Sequence, residues 1–337
     1  MILQTNVKLN FGLNVIRKRP DGYHDIETLF VPCHEFGDTL EVITGDDYSR
    51  TSAGLVARYR SFADAQDDRG NAIRQGISED GRLMITIARE EGVDWEPLED
   101  LCAKAYFLLA EDFKLPTVKM FLEKKAPVGA GLGGGSADAA FTLKALNELC
   151  GLGLSDERLS EYASRLGSDC AFFIWNRPMI GTGRGEILEP FDLDLEGYEV
   201  KVLVPEGIAV STAEAYRGIV PRMSIDGGTT APTTVSLRST PPLASHSEAP
   251  VPPLSVPRVA AVAGAVVPPS ERGAETLISI LQRPVEDWKG LLANDFETTV
   301  FKAHPELEAI KNSLYESGAV YASMSGSGSA LFAIYKR

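Results

Sequence analysis

The sequence predicts an α+β or mixed α/β protein with length for two domains, and three observations point there. The opening stretch alternates apolar and polar residues with the period of a strand. Segments of helical and of strand period then follow one another. A glycine-rich loop at residues 129–135 runs directly into an alanine-rich helix. With 337 residues, 44% of them hydrophobic, the chain has enough apolar surface for real cores.

In "TNVKLNFGLNVI", Val7, Leu9, Phe11, Leu13 and Val15 fall on one face and Lys8, Asn10, Gly12 and Asn14 on the other, so a strand with one buried face is expected. "RPDGYHD" is a turn and "IETLFVPC" a returning strand, together a hairpin. Residues 48–81 are polar and aperiodic and are expected to form an elaborated loop. "LEDLCAKAYFLLAEDF" has helical spacing and "TVKMFLEK" reads as a strand. After the glycines, "SADAAFTLKALNELCG" places Ala139, Ala140, Leu143, Leu146 and Leu149 on one helical face, with Ser136 as the expected N-cap and Gly151 closing the helix. "SDERLSEYASRLG" is a capped helix. Residues 226–273 hold nine of the twenty prolines among many Ser, Thr and Ala; such a segment buries too little apolar surface to offset its ordering entropy, and a disordered insertion is expected. Beyond it come "ETLISILQ", one helix around "ANDFETTVFKAHPELEAIKNSLYESG", and strands "AVYASM" and "ALFAIY" joined by "SGSG".

Composition excludes several functions. A formal charge of −14 repels a nucleic-acid backbone, whose binding depends on neutralising phosphates. No apolar run approaches the ~20 residues needed to span a bilayer, and "MILQTNVKLN" is no secretory leader, so no membrane partner and a cytoplasmic location are expected. Cys33, Cys102, Cys150 and Cys170 form no C-x-x-C pair, and His24, His34, His246 and His304 form no H-x-x-x-H cluster, so neither a disulfide framework nor a protein-caged metal is expected.

The chemistry concentrates at the glycines. Gly129, Gly131, Gly133, Gly134 and Gly135 let main-chain N–H groups approach a ligand, and the helix that follows adds its free N–H groups and dipole, a combination that suits phosphate. The Walker A pattern fails, because Gly135 stands where its lysine belongs. The dinucleotide pattern matches at Gly129, Gly131 and Gly134, but Pro127 interrupts the approaching strand and the nearby acid, Glu148, falls within a helix. Phosphoryl transfer further needs a cation near the transferred group and a carboxylate near the attacking hydroxyl. Lys8, beside Asn10 on the polar strand face, and Asp169 in "LGSDCAFFI" are candidates, although spacing alone reads Lys8 as a solvated strand residue and Asp169 as an N-cap. Tyr23 and His24 either flank a base or close the hairpin.

"PVGAGLGGGSADAA" resembles the phosphate loop of the GHMP kinases, and "VKLNFGLNVIRKRPDGYHDIETLF" is similar to the opening of one branch of that family. "LGSDCAFF", "GRGEIL", "ANDFE" and "SMSGSGSALF" follow in the family's order. The resemblance implies a two-domain α+β GHMP kinase fold: an S5-like ATP-binding half at 1–194 and a ferredoxin-like half at 195–337. It implies ATP-dependent phosphorylation of the 2-hydroxyl of a CDP-linked methylerythritol, in non-mevalonate isoprenoid biosynthesis, with Mg²⁺ arriving on the nucleotide. It also implies roles. Asp169 orients or deprotonates the hydroxyl, Lys8 polarises it, and Asn10 and Thr212 bind substrate. Tyr23 and Tyr216 stack on the cytosine, whose edge His24 reads. Lys124, Pro127, the five glycines and Ser136 enclose the ATP phosphates, and Asp100 stands where the family has an adenine-binding asparagine, replacing an amide donor by an acceptor. Against this stand another kinase of the same superfamily, a nucleotide-binding module without turnover, and a Rossmann dehydrogenase.

Overall fold

The alternating opening becomes β2 (Val7–Lys18), preceded by the short β1 (Ile2–Gln4), in a computed structural model that describes residues 1–45, 72–222 and 276–337. β2 turns back through residues 19–23 and pairs antiparallel with β3 (His24–Cys33), the expected hairpin. The expectation of one buried face is corrected: β2 is buried on both faces from Val7 to Val15, Lys8 and Asn10 being 3% and 1% exposed. The glycine loop and the turn before the last strand cover the polar face, so its lysine and asparagines become interior groups with partners. At Gly12 the ladder bulges at φ +68°, and a Cβ there would stand 2.6 Å from Leu292.

β4 (Thr39–Thr44), β5 (Ala72–Ile77), β6 (Leu83–Arg89) and β7 (Val118–Lys124) join β1 in a five-stranded sheet ordered β1-β4-β7-β6-β5, in which only β6 and β7 run parallel. β5 corrects the reading of 48–81 as a single loop. Ile73 is buried, while Gln75 donates to Thr86 and Arg74 to the Trp95 carbonyl, so polar residues find partners across an edge strand. Residues 48–71 of that segment, and the proline-rich segment at 226–273, lie outside the described residues.

Four helices share a core with this sheet: α1 (Leu101–Asp112), α2 (Gly134–Leu149), α3 (Asp156–Leu166) and α4 (Cys170–Trp175). Leu109, Leu143 and Leu146 meet Val42, Ile85 and Leu122 there. Ser155 caps α3 by accepting from the Arg158 N–H. β8 (Met179–Thr182) and β9 (Ile187–Pro190) extend the first hairpin into a sheet ordered β2-β3-β8-β9.

The remainder comprises β10 (Tyr198–Leu203), α5 (Thr212–Tyr216), α6 (Leu277–Leu281), α7 (Glu297–Ala303), α8 (Pro305–Glu316), β11 (Tyr321–Met324) and β12 (Leu331–Lys336). Its antiparallel sheet runs β10-β12-β11. The one helix expected over 293–318 is two. The residue before a proline is pushed out of the helical region, His304 sits at φ −130° and ψ 72°, and Pro305 restarts the helix where its missing N–H costs nothing. The described residues of 1–222 and 277–337 pack as one unit. A core in which Leu9 and Phe11 of β2 meet Trp288, Tyr321 and Phe332 runs across the boundary expected at 194/195, with Phe11 stacked on Phe332 at 4.7 Å. β2 is thereby fixed against the last hairpin, which positions its polar face.

Candidate active site

Between β7 and α2 the chain passes through Gly129, Gly131 and Gly133 at φ +75°, +76° and +75°, a region that L side chains avoid. α2 begins at Gly134 with Gly133 as its N-cap, which corrects the expected cap at Ser136: a cap in the left-handed region excludes a Cβ, and Ser136 falls within the first turn. Its hydroxyl therefore stands beside the free N–H groups of the helix N-terminus, where an anion is favoured. The loop is held from below. Lys8 Nζ donates to the Gly131 carbonyl at 2.7 Å, the Lys8 N–H to Leu132 at 2.9 Å, and the Ala330 N–H to Ala130 at 3.1 Å. A Cβ on Gly131 would lie 2.4 Å from the Ser325 carbonyl, so the loop also rests on the turn between β11 and β12.

A cavity of about 990 Å³ opens above the loop. The structure brings every residue singled out in the sequence to its wall: Pro127 with the five glycines and Ser136, Lys8 with Asn10 and Asp169, Lys124, Asp100, Tyr23 with His24, and Thr212 with Tyr216.

Lys8 and Asp169 meet at its floor, Nζ to Oδ2 3.5 Å. Asp169 occupies the N-cap position of α4 yet makes no capping hydrogen bond, so its carboxylate is directed to the lysine rather than spent on the helix. Burial lowers the pKa of the Lys8 ammonium, and the attraction of Asp169 opposes that. Lys8 also donates to Asn10 Oδ1, and Asn10 Nδ2 donates to Thr28 Oγ1 at 3.1 Å. Both ends of the Asn10 amide are therefore engaged.

Lys124 is placed differently from a free phosphate ligand. Its ammonium is paired with Asp38 and, at 2.6 Å, with Asp138, all three side chains being almost fully buried. Asp38 Oδ1 accepts the Lys125 and Ala126 N–H groups at 2.6 and 2.7 Å, fixing the chain as it enters the loop. Burial and the neighbouring Asp38 push the Asp138 carboxyl up to about 8 against the pull of Lys124, which itself stays firmly protonated.

At one end of the cavity the aromatic residues gather. His24 stacks on Tyr216, centroids 4.5 Å apart and 19° between planes, and Phe296 packs edge-on to Tyr216 at 4.7 Å. A base stacking on that face of Tyr216 displaces the imidazole. Tyr23 is 56% exposed, with the Arg184 guanidinium 5.1 Å over its ring. Burial and nearby Lys18 lower the His24 pKa, and burial with Asp169 pushes Tyr216 up to about 12. Thr212 Oγ1 lies 3.5 Å from Ser327 Oγ on the cavity wall. At the other end Asp100 caps α1, Oδ1 accepting the Cys102 N–H at 2.9 Å and Oδ2 the Trp95 indole N–H at 3.0 Å.

Sequence reasoning missed Asp38, Asp138, Arg184, Trp95, Ser327 and Asn294. Asn294, in "ANDFE", donates to the Met324 and Gly326 carbonyls, both at 2.8 Å, and so shapes the "SGSG" turn that lines the cavity. Those two motifs and the "GRGEIL" of Arg184 were legible signals. Asp38, a lone acid before a strand, carried none. Among the described residues no three of His, Cys, Asp and Glu stand together as metal ligands, and no helix is long and apolar enough to cross a membrane.

Residues 100–177 match the GHMP kinases N terminal domain and residues 277–337 the GHMP kinases C terminal domain. The chain is 38% identical to the 4-diphosphocytidyl-2-C-methyl-D-erythritol kinase of Bacteroides fragilis, an alignment that covers 99% of this chain and 92% of that protein. It is 31% identical to the enzyme of the same name from Nitratidesulfovibrio vulgaris, over 99% and 90%. A crystal structure of 4-(cytidine 5'-diphospho)-2C-methyl-D-erythritol kinase superposes with a TM-score of 0.61 at 26% identity, covering 99% of this chain and 89% of the other.

Proposed function

This chain belongs to the GHMP kinases, and from that premise we propose that it transfers the terminal phosphoryl group of ATP to the 2-hydroxyl of 4-diphosphocytidyl-2-C-methyl-D-erythritol, a step of non-mevalonate isoprenoid biosynthesis. The observation that carries this reading is the Lys8–Asp169 pair, set at 3.5 Å in one cavity between a phosphate loop and an aromatic end.

Each residue then has a task. Asp169, uncommitted to its helix, orients the substrate hydroxyl and accepts its proton, help worth roughly a hundred- to ten-thousandfold in rate. Lys8 stabilises charge on the transferred group and, through Gly131, ties that cation to the loop. Asn10 serves the polyol side by holding Lys8 and bounding the cavity. The N–H groups of residues 129–136 take the phosphates, while Lys124, held between Asp38 and Asp138, fixes the loop's entry. Tyr23, His24 and Tyr216 receive the cytosine, with Thr212 at the cavity wall beside them. Residues 1–194 supply the nucleotide side and 195–337 part of the substrate side.

Mg²⁺ fits as a nucleotide-borne ion, with Ser136 and Asp169 among the cavity-lining residues whose oxygens would face it beside the phosphates. Such an ion neutralises phosphate charge in transfer.

The test is ADP release with Mg-ATP against the cytidine-diphospho-methylerythritol, free methylerythritol phosphate, mevalonate and homoserine. Turnover with the cytidine compound alone is expected. Turnover with mevalonate or homoserine instead removes the base-binding role of the aromatic end.

A further inference from the structure

We infer that Trp95 is the platform on which the purine ring of the nucleotide stacks, and that Asp100 serves this site by holding the indole edge rather than by reading the base. The inference rests on the reading above that the glycine loop takes the ATP phosphates.

The cavity has two ends on either side of the loop. Tyr23, His24, Tyr216 and Phe296 occupy one of them, His24 and Phe296 both packed on Tyr216. Phe30 lies beneath the floor, 1% exposed, with the Lys8 ammonium 5.7 Å over its ring. On the opposite side Gly135, last of the loop glycines, faces Leu101: a Cβ on it would be 3.8 Å from the leucine Cδ1. That contact sets the start of α1, and with it Glu99, Asp100 and Trp95, immediately beyond the phosphates. Trp95 is the aromatic residue that lines this end among those described. A triphosphate lying along the loop therefore delivers its base to Trp95 when its terminal phosphate points to Lys8 and Asp169.

The ring is held before any ligand arrives. The indole N–H donates to Asp100 Oδ2 at 3.0 Å, and Arg74 both donates to the Trp95 carbonyl at 3.0 Å and pairs with Glu96. With its one polar atom satisfied, the half-buried indole offers a π face and no donor. Asp100 already spends one oxygen on the indole and the other on the Cys102 N–H. It has no donor for a ring nitrogen of the base, and each of its oxygens already accepts one hydrogen bond from the protein. Recognition by stacking tolerates any base, because every base has a π face, so the site takes purine nucleoside triphosphates as a class with weak choice between adenine and guanine.

The experiment is equilibrium binding, by calorimetry, of ATP, GTP and inorganic tripolyphosphate to the full chain and to Trp95→Leu, Trp95→Phe and Asp100→Asn. Losing a stacked base is worth about tenfold or more in affinity. Trp95→Leu is expected to weaken ATP and GTP about tenfold or more and leave tripolyphosphate unchanged, which also shows that the loop is intact. Trp95→Phe should retain most of the affinity. An Asn at 100 has a single acceptor oxygen for two donors, so Asp100→Asn frees the indole and weakens ATP several-fold. The wild type should bind ATP and GTP within a few-fold of each other. ATP affinity unchanged in Trp95→Leu, or ATP and tripolyphosphate lost together in both Trp95 variants, overturns the platform. A gain in ATP affinity in Asp100→Asn overturns the role given to Asp100. A wild type that binds neither ATP nor tripolyphosphate overturns the phosphate-loop reading itself, and the platform with it.

Discussion

Removing either acid that flanks Lys124 should have very different consequences, although both are buried and both touch the same ammonium. Two carboxylates and one ammonium leave a net negative charge in the interior, and the site relieves it by keeping Asp138 protonated, its carboxyl pushed up to about 8 by burial and by Asp38. Asp38→Ala takes away one of the two acids paired with Lys124 and strands the Lys125 and Ala126 N–H groups that its other oxygen accepts from. Breaking a buried pair from one side costs about 3–5 kcal/mol, which corresponds to a fall in Tm on the order of 10 °C. Asp138→Asn replaces a neutral carboxyl by a neutral amide of the same shape, whose oxygen still accepts from Lys124 and whose NH2 can donate to the Thr5 hydroxyl as it turns to accept, so it should cost less than about 1 kcal/mol near pH 7. The pH dependence has a definite sign. A carboxyl with a raised folded pKa contributes stability that is full below its ordinary pKa of 3.8 and is lost as pH rises towards about 8. Asp138→Asn lacks that dependence, so it should gain on the wild type between pH 4 and pH 8. Urea unfolding of the three proteins at pH 5, 7 and 9 reads both effects. An Asp138→Asn protein as damaged as Asp38→Ala at pH 7, or one falling further behind as pH rises, refutes the charge assignment.

Three further outcomes follow from the site. Asp169→Asn should lower turnover by about a hundredfold or more while ATP affinity stays within about threefold, since the carboxylate caps no helix and its ion-pair partner among the described residues is Lys8; an equal loss of ATP affinity removes it from the transfer step. Lys8→Ala should lower turnover similarly but also weaken ATP, because the same ammonium holds the Gly131 carbonyl, and ATP binding measured without acceptor separates the two effects. Gly131→Ala combines φ +76° with a Cβ 2.4 Å from the Ser325 carbonyl, so it should abolish ATP binding while the far-UV spectrum is kept; wild-type affinity in that variant would mean that the loop does not carry the phosphates.

The first hairpin, α1, β7, α2, α3 and the last two strands were readable because each carries its own period or cap within a few residues. β5 was not, because an edge strand with Arg74, Gln75 and Gly76 takes its stability from β6 and from partners such as Thr86 that no local pattern announces. The break in the last long helix was legible in Pro305 and was overridden by the apolar spacing on either side.

The site shows where the limit lies. A period of two states which residues share a face of β2 and not what covers that face, so spacing alone reads Lys8 as solvated. Its burial depends on the glycine loop and on a turn more than three hundred residues further along the chain, where Asn294 fixes the Met324 and Gly326 carbonyls. Burial in turn sets the surroundings of Lys8: removed from water it is held by the Gly131 carbonyl, Asn10 and Asp169, and those place its charge at the junction of the glycine loop and the Asp169 carboxylate. Asp169 shows the same dependence from the other side. Its position before α4 is that of an N-cap, and an N-cap acid normally turns back onto its own helix. Lys8 offers the carboxylate a stronger partner than a backbone N–H, so the residue that local pattern assigns to helix capping is freed for the cavity only because a buried cation from the first strand reaches it.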